Sequence, residues 1–139
     1  GISQLKVVDS FLKNRGVIAS TYNKKIKQSN ISDAVKFVNV PENIRHSYWR
    51  YLIRLDASID REIIKKELAD NDIESDWAYY PALHLQPYFI ENHDTYKGLC
   101  PIAEYSLDCN MCLPINSTMK KEDALFIIEI FILAIQRQL

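Results

Sequence analysis

The chain has 139 residues, of which 47% are apolar, 25% charged and 11% aromatic, proportions and a length that suit one ordinary globular domain spanning 1–139. Lys and Arg number 17 against 18 Asp and Glu, for a net charge of −1. That balance excludes the strongly basic composition of a dedicated nucleic-acid or anionic-membrane binder, and three glycines with five prolines exclude a long flexible linker.

The sequence opens at Gly1 directly on a helical pattern, without a charged and then apolar leader, so no secretory signal is expected. From Gly1 to about Lys27, Ile2, Leu5, Val8, Leu12, Ile18, Tyr22 and Ile26 recur at helical spacings, which predicts a long N-terminal helix with one apolar face. Gly16 falls inside it and is the expected place for a bend. Val35–Val40 alternates, is β-branched and stops at Pro41, so it reads as a strand. Tyr48–Leu55 reads as a second strand, with Trp49, Tyr51, Ile53 and Leu55 on one face and Tyr48, Arg50, Leu52 and Arg54 on the other.

A second helix is marked by Asp60 as its cap and by Ile59 and Ile64 at the staple positions. Ile63, Ile64 and Leu68 form its apolar side, and Asn71 stands where a left-handed cap is expected. A short extended piece follows around Asp76–Tyr80, then a loop from Tyr80-Pro81 to Pro87. Pro101 to about Cys109 suits a short helix with Pro101 in its first turn. Met111–Ile115 reads as a strand confined to a sheet edge by Pro114.

Ser117 or Thr118 is the expected cap of a final helix, Lys120–Leu139, with Glu122 and Asp123 in the first turn where the dipole favours anions. Every residue from Ala124 to Ile135 except Glu129 is apolar. The stretch is too short for a bilayer core of roughly 30 Å, which needs about 20 residues, so a soluble, cytoplasmic location without membrane contact is expected. A helix apolar on nearly all sides calls for burial on nearly all sides, and therefore for a partner surface beyond its own sheet. The element order predicts an α+β fold: a small antiparallel or mixed sheet packed with helices, with long N-terminal and C-terminal helices.

Few residues suggest chemistry. Glycine occurs only at 1, 16 and 98, which leaves no phosphate-cradling loop. Ser117-x-x-Lys120 matches a short nucleophile pattern but falls at a helix cap and lacks the companion motifs. Lysines cluster in polar runs with no Gly/Ser-rich cup beside them, so none suits pyridoxal phosphate. Cys109-x-x-Cys112 has metal-knuckle spacing, with His93 and Cys100 upstream, but no second pair completes a zinc site; free thiols and no metal are expected. The segment Trp77-Ala-Tyr-Tyr-Pro-Ala-Leu-His84 gathers three aromatics and a histidine around a proline turn. Such a loop can stack on and hydrogen-bond to a sugar or base, or it can cover the sheet with His84 as a polar plug, packing being the commoner use of aromatics.

Ile73-Glu74 followed by Tyr80-Pro81-Ala82-Leu83-His84-Leu85-Gln86-Pro87-Tyr88 resembles the I-E…Y-P-x-L-H-L-Q-P-x-Y stretch of the DegT/StrS sugar aminotransferases. Cys100-Pro101-Ile102-Ala103-Glu104 resembles their F-P-x-A-E, and Leu113-Pro114 with Met119 to Asp123 is similar to their L-P…T-x-E-D. Gly1 to Leu5 and Asn14-Arg15 through Tyr22-Asn23 look like the helix entering their small domain, and Tyr48-Trp49-Arg50-Tyr51 like their Y-H-x-Y. Asn71 and Trp49 depart from the family's glycine and histidine. The resemblance runs in order along the whole chain but omits the large domain that carries the cofactor lysine.

It implies a C-terminal small domain of a pyridoxal-phosphate-dependent aminotransferase acting on nucleotide-linked keto sugars in polysaccharide or sugar-decorated metabolite biosynthesis. The partners implied are a large N-terminal domain, a homodimer mate and the nucleotide-sugar, with no nucleic acid. In the parent enzyme Tyr80 and His84 would bind substrate, while this chain would hold no cofactor and not catalyse. The other reading is a non-catalytic module that dimerises or docks through its apolar last helix.

Overall fold

Helical structure starts at Ile2–Leu5 (α1), breaks at Lys6-Val7 and resumes as Val8–Gln28 (α2). The interruption therefore falls at Val7, not Gly16; α2 runs through Gly16, where an added Cβ would meet nothing within 4 Å. The computed structural model describes all residues 1–139. The expected apolar face is buried only in its C-terminal half: Ile18, Tyr22 and Ile26 are enclosed, whereas Ile2, Leu5 and Val8 are exposed, because nothing in this chain covers the first turns.

The sheet contains Val35–Phe37 (β1), Tyr51–Leu55 (β2) and Asn110–Leu113 (β3) in the order β1-β2-β3, antiparallel throughout. The register pairs Val35 with Leu55, Ile53 with Met111 and Tyr51 with Leu113, all six buried. One face of the sheet is thus a continuous apolar floor, as period-2 alternation dictates. β1 and β2 are shorter than predicted. Trp49 lies before β2 and is 70% exposed rather than in line with Tyr51, because Tyr48 takes a left-handed backbone (φ 45°) that breaks the alternation. β3 is an edge strand whose outer side meets the chain again only at Asp76, which bridges Cys112.

Arg61–Ala69 (α3) follows the expected cap: Asp60 Oδ1 accepts the Glu62 N–H at 2.8 Å. Ile59 and Ile64 are buried, but Ile63 faces outward. The left-handed residue that ends this helix is Asp72 (φ 58°), one beyond the expected Asn71. Asp72 N–H donates to Ala69 O at 3.0 Å and Ile73 N–H to Leu68 O at 2.9 Å, a Schellman pair sealed by the buried Ile73 and Leu68.

A 3-10 turn at Leu83–Leu85 lies within the segment read as loop, and a helix at Pro87–His93 (α4) follows it, where the sequence suggested no element. Pro101–Asp108 (α5) begins at Pro101 as predicted. The last helix spans Lys121–Gln136 (α6). Its cap is Lys120, whose N–H donates to Asp123 Oδ2 at 2.8 Å; Ser117 and Thr118 belong instead to a turn held by Asn116 Oδ1.

The core lies between the sheet and α2, α3 and α6. Ala124, Ile127, Ile128, Phe131, Ala134 and Ile135 of α6 are buried within this chain. Most of the apolar surface that called for an outside partner is therefore covered by α2 and α3, with Phe126 and Leu133 half-exposed. α2 and α6 run side by side in the same direction: Asn14 Nδ2 donates to Met119 O at 2.9 Å, Lys25 pairs with Glu129 at 3.1 Å, and Gln136 Nε2 donates to Asn30 Oδ1. Tyr22, fully buried, donates its hydroxyl to Pro114 O at 2.8 Å; burial pushes its pKa well up. No helix is long and apolar enough to cross a membrane.

Candidate functional site

The aromatic loop is held from two sides. On one side stands α3. The Arg61 guanidinium lies 4.5 Å from the Trp77 ring centre and 4.3 Å from that of Tyr80, and Arg61 Nη1 donates to Leu107 O at 2.6 Å. One turn on, Lys65 Nζ sits 4.2 Å from the Trp77 ring. Arg61 and Lys65 are four apart on a helix, so both cations project from one face against the aromatic pair, an attraction of about 0.5–2 kcal/mol each. Trp77 and Tyr80 meet edge to face with centres 5.6 Å apart.

The other side is α5. Glu104, in its first turn, is buried. Its Oε1 lies 2.9 Å from His84 Nε2 and accepts the N–H of Gly98 at 2.8 Å and of Cys100 at 3.2 Å. Gly98 has φ 97°, a conformation glycine adopts without penalty. The His84 hydrogen bond first, then the two backbone donors, hold the Glu104 carboxyl below its ordinary pKa. Thr95 Oγ1 adds a 2.6 Å bond to His84 O. One carboxylate thus ties the aromatic loop, the 95–100 loop and α5 together.

Tyr80 and His84 therefore sit on one loop but engage different partners. Tyr80 is 43% exposed on the Arg61 cation. His84 is mostly enclosed, with Nε2 committed to Glu104. Arg61 and Glu104 were not singled out by the sequence: Arg61 reads as an ordinary helix-surface cation, and Glu104 carries only its place in the C-P-I-A-E motif. Around this frame Tyr79, Leu83, Tyr88, Tyr96, Ile102 and Tyr105 are exposed.

The thiols contribute no visible centre. Cys109 and Cys112 are buried, Cys100 is exposed, and all three are free. Arg50 pairs with Asp76 and lies 4.0 Å from Cys112 Sγ, yet burial pushes that thiol's pKa up. No group of three His, Cys, Asp or Glu side chains is placed to hold a metal. No lysine is buried, and no glycine-rich turn meets a helix start, so these residues do not fit pyridoxal phosphate on their own.

The antiparallel three-stranded sheet with its helices and aromatic loop is a fold shared with about a third of each aminotransferase that superposes on it. The chain belongs to the DegT/DnrJ/EryC1/StrS aminotransferase family, whose model matches residues 1–131. It is 29% identical over 129 residues to the GDP-perosamine synthase of Escherichia coli O157:H7, covering 93% of this chain and 33% of that protein. The aminotransferase TlmJ from Streptoalloteichus hindustanus superposes with a TM-score of 0.85 at 24% identity, over 100% of this chain and 35% of its own. Helicobacter pylori PseC, an aminotransferase involved in the biosynthesis of pseudoaminic acid, gives 0.86 at 18% identity, over 99% and 36%. The chain spans about a third of the length of the relatives it matches.

Proposed function

We propose that residues 1–139 form one domain, the C-terminal small domain of a pyridoxal-phosphate-dependent aminotransferase acting on nucleotide-linked keto sugars, and that this chain alone does not transaminate. The observation that carries the reading is the family match along nearly the whole chain combined with its one-third coverage of the relatives. Pyridoxal phosphate supplies the electron sink for amino transfer when bound; the residues that hold it belong to a large N-terminal domain. The exposed apolar side chains Tyr79, Leu83 and Ile102 are where that domain and the homodimer mate pack, since exposed apolar clusters mark interfaces.

In the whole enzyme Tyr80 offers its hydroxyl and ring face to the sugar-nucleotide. His84 acts by positioning, because Glu104 already takes its Nε2. The product feeds surface polysaccharide or sugar-decorated metabolites in the cytoplasm. Reading the coding sequence upstream of Gly1 tests the assignment: an open frame of about 200–250 residues with a cofactor-lysine motif is expected, and its absence overturns it. Mixing this chain with pyridoxal phosphate should leave the cofactor spectrum unchanged. A shifted band abolished by one Lys→Ala substitution would refute the non-catalytic part.

A further inference from the structure

The parallel packing of α2 and α6 leaves a concavity that shares no residue with the aromatic surface. It is a groove of about 580 Å³ bordered by Lys13, Lys24 and Lys25 of α2 and Lys121 of α6. Gly16 opens its floor, where a Cβ would meet nothing within 4 Å. Only Lys25 is neutralised, by Glu129; Lys13, Lys24 and Lys121 form no ion pair. The chain's net charge of −1 thus hides a strip carrying three uncompensated positive charges.

We infer that this groove binds a linear chain of phosphate groups, with inorganic polyphosphate as its ligand chemistry. Lys13 and Lys24 are eleven residues apart, about 16 Å along a helix, so the charges are spread for a multivalent anion rather than one phosphate. Each cation is an ammonium, a point charge suited to phosphate, and no arginine fork is present to select a planar carboxylate. Ser20, between Lys13 and Lys24, and Gln28, beyond Lys25, line the same groove and add neutral donors. No aromatic side chain lines it, which disfavours single-stranded nucleic acid, whose binding relies on base stacking. A concave site does not lie flat on a bilayer. Val17 and Leu125 also line the groove, but interface cores are depleted in lysine, and four lysines border this one. The inference does not depend on the aminotransferase reading.

The test is titration of the 139-residue chain with medium-chain inorganic polyphosphate at low salt, with circular dichroism confirming that variants fold. The combined Lys13→Ala, Lys24→Ala and Lys121→Ala variant should bind roughly tenfold or more weakly, with the slope of log affinity against log salt reduced by about 2–3. A control losing the same charge elsewhere, Lys6→Ala, Lys36→Ala and Lys97→Ala, should stay within about twofold. Failure to bind, equal loss in both variants, or equally tight binding of orthophosphate overturns the inference. So does tighter, groove-dependent binding of single-stranded DNA of matched phosphate number.

Discussion

At the residue scale Glu104 governs the aromatic loop. Its carboxylate receives His84 and the backbone donors of Gly98 and Cys100, and its native pKa is lowered by them. A carboxyl with a depressed native pKa contributes stability fully present above its unfolded value, about 4.3 for glutamate, and loses it as pH falls through the native value. Glu104→Gln keeps the shape but replaces an acceptor oxygen with a donor facing N–H groups. The variant should melt several degrees lower at neutral pH and lose that gap on acidification below pH ~4. Thermal melts at pH 7 and in acid check this; an equal gap at both would refute the charge's role. By comparison, the exposed Lys66–Asp70 pair should matter little, because solvent screens a surface ion pair and the ordering of two long side chains offsets its attraction.

The elements show which local signals survive folding. The Asp60 cap, the Pro101 helix start and the Tyr51–Leu55 alternation were readable because each depends on neighbouring residues alone. The end of α3 was misplaced by one residue: both Asn71 and Asp72 tolerate a left-handed backbone, and the choice is fixed by Ile73 reaching the core beside Leu68. Asp72→Gly should therefore raise stability by about 0.5–1 kcal/mol, because glycine adopts that conformation freely; Asn71→Gly should not. Urea denaturation of both variants separates the positions.

Other features lay outside local pattern. The burial of α6 against α2 and α3 depends on contacts about a hundred residues apart, such as Asn14 with Met119, so the sequence showed an apolar helix without its cover. Phe131 is fully buried there. Phe131→Ala should cost about 3–5 kcal/mol in the same denaturation assay, whereas an equal change at half-exposed Phe126 should cost far less. Of the site, Tyr80 and His84 were legible as an unusual loop. Arg61 and Glu104 were not, because their roles arise from α3 and α5 converging on that loop in space.

For the molecule as a whole, apolar surface is unevenly distributed. The last helix, expected to be the sticky element, is largely satisfied inside the chain, while Tyr79, Leu83, Tyr88, Ile102 and Tyr105 remain exposed. Isolated protein should self-associate through this face. Sedimentation velocity over a concentration series should show it, and Leu83→Ser combined with Ile102→Ser should shift the distribution toward monomer. A wild-type chain that stays monomeric throughout would count against this face as an interface. That outcome would not touch the lysine groove, which shares no lining residue with this face.

The parallel pairing of α2 with α6 also determines how the chain reaches its native state. Each helix supplies the surface that shelters the other, yet their partners stand 103 to 106 positions apart. Closing so large a loop comes late and slowly. Until it happens the greasy stretch from Ala124 to Ile135 stays in water, open to strangers. Recovery from denaturant should accordingly fall as the protein is made more concentrated, and a holdase chaperone that masks this segment should restore the yield.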